Sequence, residues 1–167
     1  MKKLSSSILI TFLSSCALLN PNPNRKDELA KALILRPFTT DYCSEWPDGR
    51  INDPKRWADC CFTHDISYWM GGTEEERKSS DRELKSCVRN NSDSLNGFLM
   101  YMGVRIGGDP GEASYSWGYG WTKDREYTRL AKEERQKAKE LLLSSEYNQH
   151  EKEKALINNF INEKLKD

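Results

Sequence analysis

The spacing of apolar and polar residues predicts a chain made almost wholly of helices. Asp53-Pro54 reads as a helix N-cap followed by proline at the first helical position, so a helix is expected from Lys55 to about Met70. Gly71-Gly72 ends it. Thr73-Glu74-Glu75-Glu76 is a capping box that starts a second helix at once, running to about Asn90. A turn this short lays the two helices antiparallel. Leu95, Phe98, Leu99, Met102 and Ile106 share one face of a third helix, closed by Gly107-Gly108. Met100, Tyr101 and Val104 cover much of the rest, so this helix is expected to pack into the core against the hairpin. The alternatives are the wall of an acyl-chain channel or an interfacial anchor. Tyr115, Trp117, Tyr119 and Trp121 alternate with small residues, as suits either a lipid interface or a glycine-rich packing loop. From Thr122 to Asp167 there is no Gly, Pro or Cys. This charged stretch carries a thin apolar stripe (Leu156, Ile157, Phe160, Ile161, Leu165) and predicts helices packed on the domain or on a partner, with His150 exposed.

Composition changes this picture in two ways. Of 167 residues, 31% are charged, so a large aliphatic core is not expected and disulfides, a metal or a membrane must compensate. The formal net charge is zero, which leaves no basic excess to neutralise phosphates and argues against a nucleic-acid partner. The N-terminus then assigns a compartment. Lys2 and Lys3 precede a short apolar and serine run, Leu4 to Leu13, too short to span a membrane once mature. The run ends Leu13-Ser14-Ser15-Cys16, which resembles a bacterial lipobox. The expected organisation is therefore a signal peptide over 1–15, lipidated Cys16 and a proline-broken linker over 16–25, a domain over 26–121 and a charged helical tail over 122–167. The expected location is the bacterial cell envelope, lipid-anchored in the outer membrane and facing the periplasm or the cell surface. Removing the signal takes two lysines and no acid, leaving a slightly acidic protein. Membrane contact must then come from the anchor and from local apolar surface.

With Cys16 assigned to the anchor, four cysteines remain, an even number that suggests two bridges in an oxidising compartment. In an antiparallel hairpin, residues equidistant from the turn face each other. That pairs Cys60 with Cys87, His64 with Asp81 and Ser67 with Ser80. Positions 60, 64 and 67 form one stripe at helical spacing, and 80, 84 and 87 the matching one. A histidine facing an aspartate is a general base with its orienting group. Cys61, Asp65 and Tyr68 fall on the adjacent face. Asp65 cannot serve the same base, but it can hold a cation. A Cys43–Cys61 bridge would tie the preceding loop against it and bring backbone carbonyls, the hard oxygen ligands that calcium prefers. Water activated beside a bound cation suits hydrolysis of an ester near a phosphate. Competing chemistries lack their residues: two histidines and adjacent cysteines do not make a zinc site, and no nucleophile elbow, P-loop or dinucleotide fingerprint occurs.

Cys60-Cys61-Phe62-Thr63-His64-Asp65-Ile66-Ser67-Tyr68 resembles the Cys-Cys-x-x-His-Asp-x-Cys-Tyr signature of secreted phospholipase A2. Asp81 followed six residues later by Cys87 is similar to the family's second motif, and Tyr42-Cys43 to the start of its calcium loop. The resemblance spans about residues 41–89 and implies the family's all-α, disulfide-stapled hairpin, in a compact form like the microbial members. It implies bridges Cys60–Cys87 and Cys43–Cys61. It implies His64 as base, Asp81 as orienting carboxylate, Tyr68 as hydrogen-bond partner of Asp81, and Asp65 as calcium ligand with carbonyls near Tyr42, Ser44 and Trp46. The family's cysteine after His-Asp is Ser67 here and its partner is Ser80, so both halves of one bridge are replaced together. The family's loop glycines are replaced too: Ser44-Glu45-Trp46-Pro47-Asp48-Gly49 offers only Gly49, and Asp48 could supply a side-chain ligand instead.

Two functions follow as expectations. One is a calcium-dependent hydrolase that releases a fatty acid from membrane glycerophospholipid. The other is a non-catalytic envelope lipoprotein whose stapled domain binds a partner or lipid.

Overall fold

A computed structural model describes residues 34–91, 93–111, 115–122 and 125–166. The signal peptide, Cys16 and the linker lie outside the described residues. The described chain forms five helices: α1 (Ala58–Met70), α2 (Glu74–Asn90), α3 (Ser94–Gly107), α4 (Lys132–Leu143) and α5 (Glu151–Lys164), with a 3₁₀ turn at Glu146–Gln149. No strand occurs among the described residues, and two disulfides, Cys43–Cys61 and Cys60–Cys87, staple the helices.

The capping box at Thr73 forms as the sequence predicts. Thr73 Oγ1 accepts from the Glu76 N–H at 3.2 Å, and Glu76 Oε2 accepts from the Thr73 N–H at 2.7 Å. Gly71 and Gly72 take φ of 72° and 147°, which lets α2 begin directly after α1 ends. The start of α1 differs from expectation. Asp53 does not cap it; its backbone pairs with Arg50 in a tight turn, at 2.8 and 2.9 Å, and its carboxylate reaches Arg56 at 3.5 Å. Helical geometry begins only at Ala58. Pairing within the loop satisfies the same backbone groups that an N-cap would have served.

The third helix packs against the hairpin, but through the face opposite to the one its pattern suggested. Gly97 and Met100 are buried, while Leu95, Phe98, Leu99, Met102 and Ile106 are 68%, 46%, 41%, 40% and 77% exposed. Close approach decides this. A Cβ on Gly97 would stand 2.8 Å from the Lys85 carbonyl oxygen and 3.3 Å from the Arg89 nitrogen, so α3 meets α2 at its smallest residue. The larger apolar side chains are left outside.

The C-terminal helices share the core of the hairpin. Ile157, Phe160, Ile161 and Leu165 of the predicted stripe pack with Leu142, Phe62, Ile66 and Trp69 in one buried cluster. Lys152 pairs with Asp59 of α1 at 2.8 Å, Lys164 with Glu83 of α2 at 2.6 Å, and His150 is exposed. The aromatic segment is mainly a packing loop. Trp117 and Trp121 are buried and donate their indole N–H groups to the carbonyls of Gly72 and Met70, each at 2.9 Å. Only Tyr115 of that segment is largely exposed.

Candidate active site

The hairpin delivers three side chains to one point. His64 and Tyr68 sit one turn apart on α1, and Asp81 faces them from α2. His64 Nε2 and Asp81 Oδ1 are 3.0 Å apart, and the Tyr68 hydroxyl donates to the same Oδ1 at 2.8 Å. Asp81 is fully buried and His64 is 8% exposed. Burial raises a carboxyl, but hydrogen bonds from His64 and Arg105 outweigh it and hold Asp81 below its ordinary range. A charged Asp81 accepts from Nε2–H, which leaves the ring lone pair on Nδ1. Burial, then the charge of Asp81, pushes the Tyr68 phenol up, so it stays a donor.

Two arginines complete this network, and sequence reading missed both. Arg105 Nη1 donates to Asp81 Oδ2 at 2.7 Å. Arg77 is fully buried; its Nε donates to the Tyr68 hydroxyl at 3.1 Å, its Nη2 to the carbonyls of Val104 and Arg105 at 2.8 and 3.2 Å, and its Nη1 to the Tyr127 hydroxyl at 2.6 Å and to Asp109. Both left a signal. Arg77 is equidistant from the turn with Tyr68, and Arg105 is the lone charge in an otherwise apolar helix. A single charge in such a helix needs a buried partner.

A cavity of about 650 Å³ opens beside this network. His64, Asp65 and Tyr68 line it, as do Tyr42, Cys43, Ser44 and Trp46 from the stapled loop. Leu99, Met100 and Val104 form an apolar wall, and Tyr115 stands in the lining too. Of the sequence-predicted residues on the described chain, all but three line this cavity: Asp81 is buried one hydrogen bond beyond His64, and Cys60 and Cys87 pack together with Trp57. Ser67 and Ser80 are both buried at the seam. Asp48 turns inward: its Oδ1 accepts from the Cys43 N–H at 3.1 Å and orders the loop.

Asp41, Glu45 and Asp65 are the carboxylates in the cavity wall, and Asp65 is the one that the hairpin itself supplies, beside His64 on α1. Its Oδ2 accepts from Thr40 Oγ1 at 2.5 Å. Burial pushes its carboxyl up to about 8; the Thr40 hydrogen bond opposes this, and the charges of Asp41 and Asp48 add to it. Such a group fits a hard cation. Among the described residues no cluster of three or more His, Cys, Asp or Glu side chains could hold a metal, so carbonyls would have to complete the shell. Tyr42 and Ser44 take φ of 62° and 49°, the left-handed conformation that glycine usually supplies.

Comparison with family models, with curated proteins and with solved structures finds no match to this chain.

Proposed function

We propose that this protein is a calcium-dependent, phospholipase A2-like hydrolase that releases a fatty acid from glycerophospholipid at the bacterial envelope, where lipidated Cys16 holds it. The observation that carries the reading is His64, paired with buried Asp81 at 3.0 Å and set in the wall of a cavity that Asp65 also lines. His64 Nδ1 takes the proton of a water that attacks the ester carbonyl, and the imidazolium returns it to the glycerol oxygen as the acyl C–O bond breaks. Asp81 and Tyr68 hold the imidazole and stabilise the imidazolium that forms. Calcium held by Asp65 and the carbonyls of Tyr42, Ser44 and Trp46 would supply positive charge for the phosphate and for the ester oxygen. Arg105 and Arg77 keep Asp81 charged and Tyr68 in place. The apolar wall from α3 accommodates an acyl chain.

Purified protein lacking residues 1–16 releases fatty acid from phospholipid vesicles, and release stops with a chelator and with His64→Gln. Absent release, or release that survives His64→Gln, sinks the mechanism. The exposed apolar stripe of α3 favours a second reading, a lipid- or partner-binding envelope lipoprotein without turnover. Vesicle binding that persists with no release in any calcium concentration would select it. No described helix is long and apolar enough to cross a membrane.

A further inference from the structure

The resemblance to phospholipase A2 ends near residue 89, yet the segment after Lys132 touches the loop that feeds Asp65. Tyr42 is the focal residue. A tyrosine in the left-handed region is uphill by roughly 1–2 kcal/mol and persists only where its surroundings hold it. Its hydroxyl donates to Glu153 Oε1 of α5 at 3.2 Å. Its ring packs against Phe62 with centroids 5.9 Å apart, and its N–H donates to Thr40 Oγ1 at 2.8 Å. Thr40 in turn donates from its hydroxyl to Asp65 at 2.5 Å and from its N–H to the Tyr147 hydroxyl at 3.4 Å, in the 3₁₀ turn. An unbroken line of contacts therefore runs from Glu153 through Tyr42 and Thr40 to Asp65. Glu153 lies one helical turn before Ile157, whose complete burial fixes where α5 sits.

We propose that the C-terminal segment is a brace for the loop 39–46, with Glu153 and Tyr147 as positioning residues that set cation affinity at Asp65. The brace replaces glycine: a conformation that glycine adopts freely is imposed here on Tyr42 from outside the loop. This inference rests on the calcium reading above.

The test is calorimetric titration of the full-length protein in detergent with calcium chloride, at a temperature where circular dichroism shows every variant folded. Tyr42→Phe removes the bond and keeps the Glu153 charge. Glu153→Ala removes both, and Glu153→Gln removes the charge but keeps an acceptor. Tyr42→Phe and Glu153→Ala each weaken calcium binding about 5- to 10-fold, as for the loss of one ordinary hydrogen bond. Their double variant is no weaker than either single one, and Glu153→Gln stays within about twofold of the parent. Amide exchange at Cys43 and Trp46 quickens in the two weakened variants without any metal. If Glu153→Ala does not fold, Tyr42→Phe, which deletes a single oxygen, carries the test. Parent-like affinity in Tyr42→Phe, or equal weakening by Glu153→Gln and Glu153→Ala, overturns the brace and leaves the calcium reading standing. No uptake by the parent protein overturns both.

Discussion

Asp65→Asn tests the cation site through the stability of the metal-free protein. In the unfolded chain Asp65 loses its proton near 3.8, whereas in the fold it keeps it up to about 8. The folded state therefore binds more protons than the unfolded state across that window. Its stability falls as pH rises, with a maximum slope of about 1.4 kcal/mol per pH unit from this group. Across the whole window this amounts to roughly 6 kcal/mol. Asp65 keeps some exposure toward the cavity, where solvent screens it, so the working figure is about half, ~3 kcal/mol. Asparagine has the same shape, can accept from Thr40 and carries no charge. The assay is urea unfolding from pH 4 to pH 8.5 without calcium, comparing parent and variant so that all other titrations cancel. The variant gains on the parent steadily as pH rises, ending ~3 kcal/mol ahead at pH 8.5. Saturating calcium then restores the parent by binding the folded carboxylate and leaves the variant unmoved. A parent–variant difference that stays flat with pH would refute the burial of a destabilised carboxylate in this cavity.

Three further outcomes follow from the same contacts. Arg105→Met removes the closest cation from the buried Asp81 charge, leaving Arg77 at 4.0 Å, and destabilises the fold by about 2–3 kcal/mol at neutral pH. Because Asp81 is held below its ordinary range, its stabilisation is present above pH 3.8 and is lost as pH falls through the folded value. The Arg105→Met deficit, measured by urea unfolding, accordingly shrinks in strong acid. Gly97→Ala drives a Cβ against the Lys85 carbonyl, costs about 1–3 kcal/mol and lowers the melting temperature. Leu95→Glu with Ile106→Glu changes stability by no more than about 0.5 kcal/mol each, since both side chains are exposed, yet it lowers vesicle binding in a flotation assay. Unchanged flotation would remove α3 from any lipid contact.

Much of the candidate site was legible because it is local or tied to a single short turn. Gly71-Gly72 and the capping box define the hairpin, and equidistance from that turn then predicts which side chains meet, including both members of the His64–Asp81 pair. The Cys60–Cys87 bridge follows the same logic, and Cys43–Cys61 is the pairing left for the other two cysteines, as the resemblance implied. What stayed hidden depends on contacts between segments far apart in sequence. An apolar helix has no preferred face in its pattern alone, so nothing local says that α3 turns Gly97 inward and its leucines outward. Arg105 meets Asp81 only once that choice is made, and Arg77 gathers partners from residues 68 to 127.

The tail shows the division most plainly. Its composition and its stripe of Ile157, Phe160 and Ile161 determine, by themselves, that it is helical and that one edge is buried. Which surface receives that edge was decided by the tertiary structure, because hydrophobic burial is non-directional and only shape and the available partners choose the site. The same choice sets Glu153 on Tyr42 and so reaches the loop beside Asp65. Local periodicity could specify each helix and the hairpin dyad. Only packing could supply the loop conformation that its missing glycines left unexplained.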